Sequence, residues 1–255
     1  MKRLKGTVEM YEGTFTGGLP MNNPIDLRLE TVHRFFSGTG RTYDAMVHYA
    51  TFGIDSRWKR GIVDLLPPHP ARVLDLACGT GISTVAIAQR HPGCQIAGVE
   101  LREEYLEIAR RKIQQIGLIN IEFVLHRAED YRCTEPFDCV VSSYLAKYAD
   151  LRRLIPNMKT MRKDGGLFLM HDFTYPPNRY LAEVWHLYSW VLQHLGSRLF
   201  PAWRAIYEGL PRLIQDTCWV PELIRVLNES GFQDIQLEYL TAYGSAIVTA
   251  RKDRR

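Results

Sequence analysis

The sequence predicts an open, Rossmann-like α/β sheet with helices on both faces, and three observations carry that prediction. The stretch Arg72 to Gly81, RVLDLACGTG, runs from an apolar strand pattern through Asp75 into a turn where Gly79 and Gly81 flank Thr80. An apolar helix pattern, Ile82 to Ala88, follows at once, giving the strand–turn–helix opening of a nucleotide-binding unit. Glu100 closes the next apolar run, 19 residues beyond Gly81, where a carboxylate that grips ribose hydroxyls is expected. From there to residue 171, strand and helix patterns alternate, which implies a parallel sheet.

The elements follow in order. Residues 1–24 are punctuated by Gly and Pro and read as loosely ordered. Residues 25–66 read as helices, stopped by Pro67-Pro68 and Pro70. Strands are expected at 72–76, 95–99, 121–126, 137–142 and 166–171, with helices at 82–90, 103–116 and 150–162. Gly117 ends the second of these helices, and Asp164-Gly165-Gly166 marks a turn. After Pro176-Pro177 comes an aromatic-rich insertion, with helices at 179–195 and 202–214. A helix at 221–230 then leads to strands at 233–240 and 245–250. This divides the chain into an N-terminal helical segment, 1–66, and a Rossmann-like domain, 67–255, that carries a helical insertion at about 174–219.

Composition narrows the function. A net charge of +4 and the absence of a basic–aromatic stripe argue against nucleic acid as a partner. Part of the basic excess is terminal: Lys2, Arg3 and Lys5, then Arg251, Lys252, Arg254 and Arg255. Those ends read as solvated tails or as a weak attraction to an anionic membrane surface. No apolar run reaches membrane-spanning length, and the N-terminus lacks the apolar core of a signal peptide. The five cysteines include no CxxC pair, which points to reduced thiols and a cytoplasmic location, with peripheral membrane contact left open. No metal-ligand spacing is present. A homodimer is also left open.

The glycine turn alone does not name the ligand. Thr84 stands where a phosphate-binding fingerprint has its third glycine, and the lysine of a P-loop is absent. Asp75 would repel a pyrophosphate and favour a ligand with positive charge. S-adenosyl-L-methionine fits: adenosine for Glu100, a cationic ammonium near Asp75, and no phosphate. The plainer alternative is a Rossmann-like turn in which Asp75 caps backbone amides.

With these residues in view, the chain resembles the class I S-adenosylmethionine-dependent methyltransferases of the UbiE/MenG (ubiquinone/menaquinone biosynthesis) family. Phe36 to Arg60 carries the resemblance through Tyr43-Asp44, Phe52-Gly53-Ile54 and Trp58-Lys59-Arg60, as do Gly165-Gly166-Leu167, Asp172-Phe173-Thr174, Tyr188-Ser189-Trp190 and Gly231-Phe232. It covers about residues 32–251. It implies a class I methyltransferase sheet of seven strands with the last antiparallel, and an insertion that covers a hydrophobic small-molecule acceptor. The cofactor site is expected from Tyr43, Asp75, Ala77, Gly79, Thr80, Gly81, Glu100, Leu101, Ala128, Glu129 and Ser142.

Two departures stand out. Where the family has Phe-Gly-Leu-Arg-Asn-Val, this chain has Ser143, Tyr144, Leu145, Ala146, Lys147 and Tyr148. The arginine position is Ala146, so Lys147 is expected to supply the cationic charge from one residue away, with Tyr144 and Tyr148 shaping the acceptor pocket. Arg127 precedes Ala128 where the family has an acid or amide, which leaves stacking by Arg127 or reading by Glu129. His171 is a candidate base at the carboxyl edge, ahead of His186 and His194, and Asp172 is expected to orient the pocket. The leading expectation is C-methylation of a lipophilic quinol. Alternatives are a lipid amine or other hydrophobic acceptor, a non-catalytic cofactor binder, and, disfavoured by Thr84 and Asp75, a nicotinamide oxidoreductase.

Overall fold

The computed structural model describes residues 4–6 and 24–252. Strand β1 (Leu4–Gly6) comes first, then helices α1 (Pro24–Phe36), α2 (Tyr43–Ala50) and α3 (Ile54–Leu65). The alternating region gives β2 (Arg72–Leu76), α4 (Ile82–Arg90), β3 (Gln95–Glu100), α5 (Glu103–Ile116), β4 (Ile121–Leu125), β5 (Phe137–Ser143), α6 (Leu151–Thr160) and β6 (Arg162–Phe173). The insertion holds α7 (Arg179–Val191), the one-turn α8 (Ser197–Leu199) and α9 (Arg204–Asp216). Last come α10 (Trp219–Glu229), β7 (Phe232–Leu240) and β8 (Ser245–Lys252).

The sheet order is β1-β7-β8-β6-β5-β2-β3-β4. β2 pairs parallel with both β3 and β5, so the strand order reverses there. In such sheets the crevice beyond the carboxyl ends, at the point of reversal, is where ligands bind. β8 runs antiparallel to β6 and β7, so the expected seven strands with an antiparallel last strand are present. β1 adds an eighth along the β7 edge, Leu4 opposite Tyr239. The rest of the segment read as loosely ordered, 1–3 and 7–23, lies outside the described residues. Lys5 belongs to β1, and Arg251 and Lys252 to β8, so these residues are not tails; Lys2, Arg3, Arg254 and Arg255 lie outside the described residues.

Burial explains the layers. The central strands are buried along nearly their whole length, as a sheet covered on both faces requires. One face packs α6 and α10 through Leu154, Ile155, Leu223 and Leu227. The other packs α3 and α4 through Trp58, Ile62 and Ile87. A third apolar cluster joins the N-terminal helices to the insertion, with Phe35, Met46, Val47, Trp203, Ile206 and Tyr207. Among the described residues no helix is long and apolar enough to cross a membrane.

Two local expectations change. Asp164-Gly165-Gly166 does not form a turn ahead of the strand; it bulges within β6. β6 advances from Arg162 to Leu167 while β5 advances only from Phe137 to Cys139. Gly165 has a φ of 68°, and a Cβ on Gly166 would lie 2.9 Å from the Asp138 carbonyl oxygen. The helix expected over 179–195 stays α-helical to Val191 and then widens into a π turn, Leu192–Gly196.

Candidate active site

Three cavities meet at the carboxyl edge of the sheet. One of about 800 Å³, open to solvent, is lined by Glu100, Leu101, Ala128 and Glu129. A small polar one of about 330 Å³ holds Asp75, Thr80 and Lys59. A third, of about 840 Å³, is almost wholly apolar, with Met46, Val47, Phe173, Trp185, Leu192 and Ile206 in its wall. Tyr43 and Tyr144 line all three.

The turn after β2 is built by backbone geometry and by Glu100. Ala77, Gly79 and Gly81 all have positive φ, at 54°, 58° and 79°. Glu100 accepts from the Gly79 amide (3.0 Å) through one oxygen, and from the Leu101 (2.9 Å) and Arg102 (3.0 Å) amides through the other. Burial raises the Glu100 pKa, and these amide donors oppose the rise. Asp75 does not cap backbone amides: its carboxylate accepts from the Thr84 hydroxyl at 2.6 Å. The threonine that replaces a third glycine therefore holds the acid. Burial pushes the Asp75 carboxyl up to about 6, against the Thr84 hydrogen bond and the charge of Lys59.

Most of the expected cofactor residues come together. Tyr43, Ala77, Gly79, Glu100, Leu101, Ala128 and Glu129 line the first cavity, and Asp75 and Thr80 line the small one beside it. Two do not reach either cavity. Gly81 starts α4, where a Cβ would come within 3.3 Å of the Ala109 Cβ, so close helix packing accounts for it. The Ser142 hydroxyl turns away and donates to the Leu76 carbonyl at 2.9 Å; its neighbour Ser143 faces the cavities. Arg127 does not lie free to stack. It grips Glu129 through Nε (3.0 Å) and Nη2 (3.2 Å), and Glu129 also accepts from the Asp150 amide at 3.2 Å.

The expected catalytic residues divide. Lys147 and Tyr148 line the apolar cavity, but Lys147 is ion-paired with Asp172, and both side chains are buried. Its charge is therefore offset rather than bare. Burial lowers the Lys147 pKa, and Asp172 opposes the fall. Asp172 is further fixed by the Phe173 amide at 2.7 Å. His171 lines none of the three cavities. Its ring is fully buried, bonded to Ser143 (2.8 Å) and Ser245 (3.3 Å) and enclosed by Trp58 and Tyr144. Burial, with Lys59 and Lys147 nearby, drives its pKa well below the usual histidine value, so it stays neutral and structural. His186 bonds the Tyr175 hydroxyl and His194 the Trp190 carbonyl, both on the exposed side of the insertion.

Sequence reasoning missed Asp55 and Lys59 as site residues. They stand one turn apart on α3, both buried. Lys59 donates to Ser143 at 2.6 Å, and Asp55 accepts from the Tyr144 hydroxyl. The i, i+4 pair of charges inside an otherwise apolar-faced helix was the available signal.

The donor set suits the sulfonium cofactor. Asp75 and Glu100 offer carboxylates for an ammonium and for ribose hydroxyls, while Arg127 in the wall of the first cavity is already held by Glu129. A pyrophosphate would face repulsion from both carboxylates. The chain matches the ubiE/COQ5 methyltransferase family over residues 25–252. It is 30% identical over 219 residues to the demethylmenaquinone methyltransferase of Thermus thermophilus, covering 84% of this chain and 97% of that one. It is 29% identical over 226 residues to the Escherichia coli ubiquinone/menaquinone biosynthesis C-methyltransferase UbiE, covering 84% and 88%. The fold also matches the Haemonchus contortus phosphoethanolamine N-methyltransferase 2, solved with S-adenosylhomocysteine, at a TM-score of 0.65 and 14% identity over 92% of this chain and 61% of that one. With its sequence matched over nearly its whole length and its fold matched independently, the chain is an S-adenosylmethionine-dependent methyltransferase and belongs to the ubiE/COQ5 methyltransferase family.

Proposed function

We propose that this enzyme C-methylates a lipophilic quinol of the demethylmenaquinol type. The observation that carries the reading is the apolar cavity, which meets the cofactor cavities at Tyr43 and Tyr144 and is walled by apolar and aromatic side chains that suit a lipophilic ring. The Thermus and Escherichia relatives, named for quinone methylation, support the same acceptor.

When bound, the cofactor supplies an electrophilic methyl group. In this reading Glu100 holds the ribose hydroxyls, Asp75 the ammonium end, and Leu101 and Ala128 the adenine faces. The protein's part in catalysis is alignment and exclusion of water. Helices α1–α3, within the N-terminal segment 1–66, and the insertion at 174–219 act as the roof that excludes it. Lys147, with Asp172 behind it, presents a donor toward the acceptor oxygen as negative charge develops. The test is transfer of labelled methyl from S-adenosylmethionine to demethylmenaquinol, with a phospholipid amine as the competing acceptor. Label in the amine and none in the quinol overturns the reading.

We further propose that the enzyme works in the cytoplasm at a membrane surface, where such an acceptor resides. The outer face of α7 and the π turn exposes Tyr180, Val184, Leu187, Trp190 and Leu195, with Arg179 and Arg198 at its two ends. Aromatic and aliphatic side chains flanked by arginine suit a lipid interface. Co-sedimentation with anionic vesicles is expected, and is lost in Leu187→Glu. A stable homodimer that covers this face, seen by light scattering, would replace the membrane as its occupant.

A further inference from the structure

Each of the other acids at the three cavities has a partner suited to a standing role. Glu100 is fixed by three amides, Glu129 by Arg127, and Asp75 by Thr84 at the ammonium end. Asp172, behind Lys147, is paired with that lysine. Asp55 differs in what holds it. It is buried at the start of α3, and its carboxylate accepts from the Tyr144 hydroxyl, whose side chain lines all three cavities, whereas Thr84, which holds Asp75, lines none of them.

Tyr144 is held with unusual firmness. Its φ is 70°, in the left-handed region that glycine favours, at the position where the family run quoted above has glycine. A non-glycine residue stays there only where its surroundings impose it, and such residues cluster at working sites. Its ring stacks on Phe173 at 4.7 Å and 8°, and Lys59 Nζ sits 4.4 Å from the ring centre. Its amide donates to the His171 carbonyl at 2.8 Å. The side chain spans the apolar cavity and the small polar one, with its hydroxyl aimed at α3.

We propose that Asp55 is the terminal proton acceptor of the methylation, reached from the acceptor's hydroxyl through that of Tyr144. The proposal rests on the quinol reading, because a ring carbon becomes nucleophilic as its hydroxyl loses a proton. The acceptor proton passes to the Tyr144 oxygen while the Tyr144 proton passes to Asp55. The ring carbon gains the methyl, and the sulfur keeps the electron pair of the broken carbon–sulfur bond. The hydrogen on the methylated carbon then moves to the ring oxygen and restores the hydroxyl. Asp55 releases its proton through the small cavity it lines. Tyr144 touches the acceptor; Asp55 acts through it.

The test compares wild type with Asp55→Asn and Tyr144→Phe. Asparagine still accepts the Tyr144 hydrogen bond but takes no proton, and phenylalanine keeps the stack on Phe173. Each variant is expected to lose about 100-fold or more in kcat on demethylmenaquinol at pH 7. Kd for S-adenosylhomocysteine should stay within about twofold. Between pH 7 and 9 the variants' kcat should rise about tenfold per unit as the acceptor ionises unaided, while the wild type stays level. The double variant should be no slower than either single one, because the two residues act as a unit. A merely structural role would lower the rate without changing the shape of the pH profile, so a level profile in folded Asp55→Asn overturns the relay, as does a wild-type kcat. A wild type that binds S-adenosylhomocysteine but never methylates demethylmenaquinol overturns the acceptor reading, and the relay with it.

Discussion

Among the site residues, Asp75 gives the plainest pH dependence. An unfolded aspartate titrates near 3.9, whereas this one titrates at about 6. Between those values the folded state holds more protons, so its contribution to stability falls as pH rises through that window. Binding of a cationic ligand runs the other way, because only ionised Asp75 attracts an ammonium. Calorimetry should show S-adenosylmethionine affinity level above about pH 6 and falling toward tenfold per unit below it. Asp75→Asn should remove the dependence. Glu100→Ala should weaken cofactor binding about tenfold or more, since charge-assisted hydrogen bonds contribute roughly 1.5–3 kcal/mol. It also strips the partner from the Gly79, Leu101 and Arg102 amides, so a lower melting temperature should accompany the loss. Lys147→Met leaves Asp172 buried and unpaired, and should cost about 3–5 kcal/mol in denaturant unfolding. Lys147→Met combined with Asp172→Asn should recover much of that. Asp75 and Glu100 were legible because spacing from a glycine turn fixes them along the chain. Ser142 turns away from the cavities that its neighbour Ser143 lines, because alternate strand residues face opposite sides and the sequence does not say which side the last one takes. Asp55 was not legible as a site residue, because its role arises only where α3 meets the end of β5.

At the scale of elements, the roof is stitched to the nucleotide turn by polar contacts. Asp44 on α2 accepts from Thr80 Oγ1 (2.5 Å) and Lys112 Nζ (2.8 Å). Glu104 on α5 accepts from the Gly38 (3.0 Å) and Gly40 (2.7 Å) amides just before α2. The fully buried Trp203 donates to Thr42 at 2.7 Å, joining the insertion to the same loop. Asp44 is half-exposed, so Asp44→Ala should change stability by about 1 kcal/mol or less. It should still weaken cofactor binding several-fold, because Thr80 loses its tether; equal affinity in a calorimetric titration would show that the tether is idle. Trp203→Ala should instead cost about 3–5 kcal/mol in stability. The long periodic helices were legible: 82–90 and 103–116 match the observed spans of α4 and α5. The bulge in β6 and the π turn after α7 were not. Gly165-Gly166 carries the same letters whether it turns the chain before a strand or bulges within one, and the π turn is set by packing, with Gly196 against Tyr207 at a would-be Cβ distance of 3.0 Å.

For the molecule as a whole, strand order was legible because alternating strand and helix patterns leave few topologies open. The β1 edge strand was not, since three residues carry no periodicity. Tyr43 and Tyr144 form a party wall common to three chambers. Each ligand therefore rests against side chains that the other also touches, and the two binding equilibria become linked. Whatever factor S-adenosylhomocysteine contributes to the affinity for a quinone, the quinone must return to S-adenosylhomocysteine. Closing that thermodynamic square by calorimetry, with menaquinone as the second ligand, should give a factor of about 5 or more on both legs. Tyr43→Ala should bring both toward unity. In an enzyme walled in this way a coupling factor above unity means that the arrival of one substrate raises the residence of the other, so that the methyl donor is held longest when there is something to receive the methyl.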